Sequence, residues 1–292
     1  MRRIGMLTSG GDCQALNATM RGVAKSLYNM FDDVEIIGFE DGYRGLMYAD
    51  YQIMKSSDFS GILTQGGTIL GTSRQPFKQM RIPDENGLDK VESMKHTYKK
   101  LKLDCLVVLG GNGSQKTANM LSEEGLNVVS LPKTIDNDLA LTDHTPGYGS
   151  AAKYIGTSVK EIIRDGFCLE YEKGVVTIVE IMGRNAGWLT GAAALAKGED
   201  CPGPDLIYLP ELAFDLEKFS TKIKKLMEKK MSVVVAVSEG IKLEVGRYVC
   251  ELGTGVDFVD AFGHKQLTGT ASYLANFVAG EVGCKTRAIE LS

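Results

Sequence analysis

The chain has 292 residues, 43% apolar and 24% charged, with a net charge of −4. That is room for one large or two medium α/β domains, and the acidic balance excludes the broad basic face that a nucleic acid or an anionic membrane would require. Six scattered cysteines (Cys13, Cys105, Cys168, Cys201, Cys250, Cys284) with no C-x-x-C pair read as reduced thiols, without disulfides or a zinc site. Met1-Arg2-Arg3 leads into a strand, and no apolar stretch is long enough for a membrane span, so a cytoplasmic protein is expected.

Strand-like and helix-like segments then alternate. Ile4 to Leu7 is a short apolar strand, and Ala15 to Asn29 has helical spacing at Leu16, Met20, Val23 and Leu27. Val34 to Phe39 is the next strand. Some fifty residues of low periodicity follow, including Asp41-Gly42-Tyr43-Arg44-Gly45 and Gly71-Thr72-Ser73-Arg74. An irregular connection of that length points to a functional segment. Helix Leu88 to Lys102 and strand Asp104 to Leu109 continue the alternation.

The strand Leu126 to Leu131, closed by Pro132, leads into Lys133-Thr134-Ile135-Asp136-Asn137-Asp138. An extended path beyond the proline puts Thr134, Asp136 and Asp138 on one face. A hydroxyl and two carboxylates so placed suit proton transfer, a magnesium ion or a helix cap. Helix Ser150 to Arg164 comes next, then strand Val175 to Met182, helix Ala186 to Lys197, strand Leu206 to Leu209, helix Leu216 to Lys230, strand Val233 to Val237, helix Thr270 to Val282 and strand Lys285 to Leu291. The pattern predicts two Rossmann-like, doubly wound α/β domains with mainly parallel sheets facing a shared cleft, divided near Pro146 into residues 1–145 and 146–292.

Both halves end strands in glycine or acid: Ser9-Gly10-Gly11-Asp12, Gly110-Gly111-Asn112-Gly113-Ser114, Met182-Gly183-Arg184 and Ser238-Glu239-Gly240. Such turns gather at the carboxyl edges of parallel strands, where α/β sheets bind ligands. The first two either cradle an anion with backbone amides or are plain glycine turns, with Asp12 capping the first helix and Ser114 capping a helix from Gln115. Neither is a P-loop or a G-x-G-x-x-G fingerprint, and Gly147-Tyr148-Gly149-Ser150 does not follow a strand. A guanidinium at Arg74 or Arg184 suits a phosphate, although an exposed arginine is more often merely solvated, and Glu239 suits sugar hydroxyls or a lysine. The dispersion of His96, His144 and His264 argues against a metal cluster or a Ser/His/Asp hydrolase.

In order along the chain, Leu7-Thr8-Ser9-Gly10-Gly11-Asp12, Gly42-Tyr43, Gly71-Thr72-Ser73-Arg74, Gly110-Gly111-Asn112-Gly113-Ser114, Pro132-Lys133-Thr134-Ile135-Asp136-Asn137-Asp138 and Glu180-Ile181-Met182-Gly183-Arg184 resemble the phosphofructokinase family. The resemblance implies glycolytic transfer of a phosphoryl group from ATP or pyrophosphate to the 1-hydroxyl of fructose 6-phosphate, with Mg2+. It makes Asp136 the base, with Thr134 and Asp138 beside the transferring group and its metal. Gly11, Tyr43, Arg74, Asn112, Gly113, Ser114 and Lys133 would meet the phosphoryl donor, Arg74 also neutralising charge in the transition state. Met182, Gly183, Arg184 and Glu239 would bind the sugar phosphate, and Arg184 would also join the catalytic set. Arg287 would reach the sugar site of a neighbouring subunit in a homodimer or homotetramer.

Three departures from the family pattern stand out. Asn112 occupies the place of an acid, and a neutral oxygen is a weaker ligand for magnesium. Gly113 leaves room for ATP, whereas Lys133 suits pyrophosphate; the mixed pair also occurs in ATP users, and the reading leans to ATP. The family continues past the Arg287 strand with a Gln-Arg motif, but this sequence stops at Ser292. Gly263-His264-Lys265-Gln266 lacks that motif's arginine and reads as a separate insertion, so a truncated sequence or an incomplete sugar site is expected.

Overall fold

Six of the eight residues of β1 (Arg2–Ser9) are buried, as a parallel strand covered on both faces requires. The computed structural model describes residues 1–168, 173–253, 267 and 269–291, which leaves Gly263-His264-Lys265-Gln266 outside the described residues. Two compact units emerge, Met1–Gly149 and Ser150–Ser292.

In the first unit β1 is followed by α1 (Leu16–Met30), β2 (Val34–Phe39), α2 (Tyr43–Tyr48), β3 (Tyr51–Met54), α3 (Lys90–Lys100), β4 (Cys105–Gly110), α4 (Asn112–Glu123) and β5 (Val128–Pro132). The sheet order is β3-β2-β1-β4-β5, parallel except for β3, which runs antiparallel to β2. Alternate residues of β4 serve the two faces. Leu106 and Val108 pack with Phe39, Tyr43, Leu46, Met94 and Leu121, while Val107 and Leu109 pack with Met6, Leu16, Met20 and Phe59. The chain leaves β1 toward β2 on one side, and β4 joins β1 on the other. That reversal of strand order is the switch point at which α/β sheets open a ligand crevice, and both glycine turns emerge there.

The second unit holds most of α5 (Tyr148–Phe167), then β6 (Val175–Ile181), α6 (Trp188–Gly191), β7 (Leu206–Tyr208), β8 (Ala213–Phe214), α7 (Leu216–Met227), β9 (Ser232–Ser238), β10 (Lys242–Leu243), α8 (Thr270–Val282) and β11 (Lys285–Leu291). Its main sheet, β11-β6-β9-β7, is parallel throughout. Val176, Ile178, Val233, Val235 and Val237 pack against Phe219 and Ile223 of α7 and Ala271, Leu274 and Val278 of α8. Among the described residues, no helix is long and apolar enough to cross a membrane.

Most expected elements are present, β2, α8 and β11 with the ends expected and the others with shifted ends. Helix α3 starts two residues later than its apolar pattern, because Asp89 is its N-cap and accepts from the amides of Val91 and Glu92. The stretch expected as helix Ala186 to Lys197 is only one short helix, α6, followed by a 3₁₀ turn at Ala192–Ala196. The long connection after β2 is less irregular than expected, since it carries α2 and the edge strand β3. Six helical residues are too few to display a period, and β3 buries only Met54.

Candidate active site

The turn after β1 gathers the first group of polar residues. Gly10 has φ of +92°, a left-handed conformation that disfavours side chains, and its carbonyl accepts from the Thr72 hydroxyl at 2.8 Å. Thr8 Oγ1 donates to the Gly71 carbonyl at 2.6 Å and lies 2.8 Å from the Thr68 hydroxyl. These contacts dock the Gly71-Thr72-Ser73-Arg74 segment against Gly10-Gly11. Arg74 is exposed, and its Nη2 lies 3.7 Å from where a β-carbon on Gly11 would stand.

Lys133, only 5% exposed, crosses from the end of β5 to donate its ammonium to the Gly11 carbonyl. Burial lowers its pKa; Cys13, Asp12 and Asp136 oppose that shift, and Arg74 adds to it. The same neighbourhood therefore holds a lysine, an arginine and two carboxylates beside a glycine turn. An environment of that kind binds phosphate oxygens through both backbone and cation.

Helix α4 begins at Asn112, with Gly111 as an N-cap that makes no side-chain hydrogen bond. Ser114 is therefore inside the helix rather than its cap. Asp12 is likewise no cap, since α1 is entered through Ala15 without a side-chain bond. Asn112 and Gly113 are exposed on the first turn of α4, and a β-carbon on Gly113 would meet no atom within 4 Å. Tyr43, expected at the donor, is fully buried, and its hydroxyl donates to the Ser114 carbonyl at 2.8 Å. Burial also pushes its phenol pKa up. Its ring packs in the core, so it supports the α4 turn from behind and has no surface to offer a ligand.

After β5 the path is not extended through Asp138. Thr134 Oγ1 accepts the Asp136 amide at 3.1 Å and lies 3.4 Å from Asp136 Oδ2, a local side-chain turn typical of threonine. Asn137 then adopts φ of +54°. Its buried side chain accepts from the Thr145 amide at 2.9 Å and hydroxyl at 3.1 Å, and donates to the Asp143 carbonyl at 3.3 Å. Thr134 and Asp136 are thus paired and half-buried, while the exposed Asp138 lies beyond a left-handed residue. Asn137 and Thr145 were not singled out by sequence; Asn is the polar residue that best tolerates this conformation, and that was their one available signal.

In the second unit the loops after β6 and β9 interlock. The Glu239 amide donates to the Ile181 carbonyl at 3.0 Å, Ser238 Oγ donates to the Gly183 carbonyl at 2.6 Å, and Glu239 Oε1 accepts the Gly183 amide at 3.3 Å. A β-carbon on Gly240 would collide with the Arg184 carbonyl oxygen, so the two loops approach at backbone distance. Met182, Gly183, Arg184 and Glu239 are therefore one group at the carboxyl edge of this sheet. Arg287 is not in it. On β11 it pairs in register with Thr177, five residues before Met182 or about 16 Å along the strand. Its guanidinium meets Asp165 at 3.1 Å, in a groove shared with Glu161 and Ile289.

Comparison with known proteins gives concordant matches. The family model described as Phosphofructokinase matches residues 3–290. The chain is 45% identical over 248 residues to the ATP-dependent 6-phosphofructokinase of Spirochaeta thermophila, a match covering 82% of this chain and 64% of that protein. It is 36% identical over 290 residues to the pyrophosphate-fructose 6-phosphate 1-phosphotransferase of Amycolatopsis methanolica, covering 99% and 79% respectively. Among solved structures, the pyrophosphate-dependent phosphofructokinase from Marinobacter aquaeolei superposes with a TM-score of 0.80 at 26% identity, over 99% of this chain and 68% of that one. The chain thus spans less than two thirds of the Spirochaeta relative.

Proposed function

The chain belongs to the phosphofructokinase family, and on that premise we propose that it transfers a phosphoryl group from ATP to the 1-hydroxyl of fructose 6-phosphate. The observation that carries this reading is the Thr134–Asp136 turn, with Lys133, Arg74 and the Gly10-Gly11 turn in the same electrostatic neighbourhood. Phosphoryl transfer needs alignment, positive charge and a proton acceptor more than covalent chemistry, and this group supplies all three. In this reading the first unit holds the phosphoryl donor, and Asp136 takes the proton from the attacking hydroxyl. Thr134 fixes the carboxylate, and Arg74 offsets charge that develops on the transferring group. The second unit holds the sugar phosphate through Met182, Gly183, Arg184 and Glu239.

Among the described residues, no three His, Cys, Asp or Glu side chains gather into a metal cage. That fits an ion that keeps its waters and comes with the donor's phosphates, meeting one or two protein oxygens. Asp138 and Asn112, both exposed, are the residues assigned to that contact. Bound there, magnesium would neutralise charge on the phosphates. A second reading replaces ATP by pyrophosphate and draws on Lys133, whose ammonium already lies against the donor turn. A cytoplasmic homodimer or homotetramer, with Arg287 serving a neighbouring subunit, belongs to the same proposal.

Calorimetric titration with fructose 6-phosphate tests the second-unit assignment. Arg184→Ala is expected to weaken binding by roughly tenfold to a hundredfold, the cost of a lost hydrogen bond to a charged group. Unaltered binding would remove Arg184 from the sugar site.

A further inference from the structure

Along β6, Val176 and Ile178 face α8, and the alternation brings Glu180 to the same face. A carboxylate thus stands where this stripe calls for a third apolar side chain. Glu180 is 5% exposed in a strand buried at every position, and a charge so placed requires partners. It accepts the Ala271 amide at 2.8 Å, in the first turn of α8, where the helix dipole favours negative charge.

The contact is relayed from there. Thr270, which opens α8, donates its hydroxyl to the Glu239 carbonyl at 3.1 Å. Glu239 in turn is held by its amide to Ile181, at 3.0 Å, and by its carboxylate to the Gly183 amide, at 3.3 Å. Ile181 directly follows Glu180, so the circuit closes on itself: β6, the α8 N-terminus, the loop after β9, and back to the loop after β6. We propose that Glu180 is a positioning residue for the sugar-phosphate site, acting through the N-terminus of α8 to hold Glu239 against Gly183. The inference rests on the assignment of Met182, Gly183, Arg184 and Glu239 as that site.

The surroundings make this tether sensitive to protons. Glu290 faces Glu180 from β11, Glu239 from the loop after β9, and Cys250 from the 3₁₀ turn Cys250–Leu252. Burial is the main cause that raises the Glu180 pKa from 4.5 to about 7; Glu290 and Glu239 add to the shift, and the backbone at Ala271 and Gly269 opposes it. The ionised form, present above about pH 7, accepts the α8 amide most strongly. For stability the sign is the reverse of a paired surface carboxylate. A folded pKa above the unfolded one stabilises fully below pH 4.5, and that contribution is lost as pH rises through 7.

Steady-state kinetics of Glu180→Leu and Glu180→Gln, with thermal unfolding of each, tests the proposal. Glu180→Leu is expected to raise KM for fructose 6-phosphate about tenfold, as for one lost hydrogen bond to a charged group, while kcat and the phosphoryl donor's KM stay within about twofold. Glu180→Gln keeps a neutral oxygen that accepts the Ala271 amide, so it should hold KM at every pH near that of the protonated wild type and lose the change in KM expected of the wild type across pH 7. An unchanged sugar KM in both variants, or a common fall of all parameters, would overturn the tether. Should the leucine variant fail to fold, the pH profile of Glu180→Gln decides, and an inflection identical to wild type overturns the proposal. A wild-type chain that neither turns over nor binds fructose 6-phosphate overturns the site assignment itself and the tether with it. Wild-type activity with indifferent variants removes the tether alone.

Discussion

Asp136→Ser is expected to lower turnover by about a hundredfold to ten-thousandfold, the range that a positioned proton acceptor contributes, with fructose 6-phosphate binding nearly intact. The split follows from where the residue sits. Asp136 belongs to the turn after β5 in the first unit, held by Thr134, whereas the residues assigned to the sugar phosphate are in the second. The turn itself should survive the exchange, because the Thr134 hydroxyl bonds the backbone amide of residue 136 rather than depending on its carboxylate, and Asn137 is anchored independently through Thr145. A fall in kcat with little change in sugar affinity, by kinetics and by calorimetry, is therefore the signature of a base. Parallel loss of binding and thermal stability would make Asp136 a structural residue.

Gly113→Asp carries the second large effect: ATP use should disappear while any pyrophosphate use is spared. The position is exposed, a β-carbon there meets nothing within 4 Å, and its backbone is not in the left-handed region. As the second residue of α4, an aspartate would even be favoured by the helix dipole, by roughly 0.3–1 kcal/mol. The fold should thus stay intact, leaving the added carboxylate to act on the ligand by occupying space and by repelling nucleotide phosphates. Both donors should be assayed alongside a thermal melt. ATP kinetics equal to wild type would move the nucleotide away from the first turn of α4.

The α/β alternation was legible because the buried strands are mostly apolar runs, as Leu106 to Leu109 of β4 is, and the long helices show an apolar stripe, as at Leu16, Met20 and Ala24 of α1. Helix α2 and strand β3 escaped because neither is long enough to show a period. The grouping of the strand-end motifs was legible as well, since parallel topology brings the carboxyl ends of β1, β4 and β5 together, and those of β6 and β9, whatever the loop details. The geometry within those motifs was not. Alternation placed Thr134, Asp136 and Asp138 on one face, but the Thr134 turn and the left-handed Asn137 separate the third from the first two. Tyr43 was expected at the donor because Gly42-Tyr43 is among the motifs that carry the family resemblance; only the packing of α2 against the sheet reveals a ring wholly inside the core. Glu180 was visible within a motif, yet nothing in one dimension says that a strand's acid will meet the amide of Ala271, ninety-one residues later.

The central claim is tested most directly by following fructose 1,6-bisphosphate formation by the purified chain, with fructose 6-phosphate, magnesium, and either ATP or pyrophosphate as sole phosphoryl donor. The expected result is product with ATP, abolished in Asp136→Ser. Product with pyrophosphate alone would keep the transfer chemistry and reassign Lys133 as the residue that selects the donor. Product with neither, from a chain that still binds fructose 6-phosphate, would contradict catalysis and leave a phosphofructokinase fold that binds its sugar phosphate without turning it over.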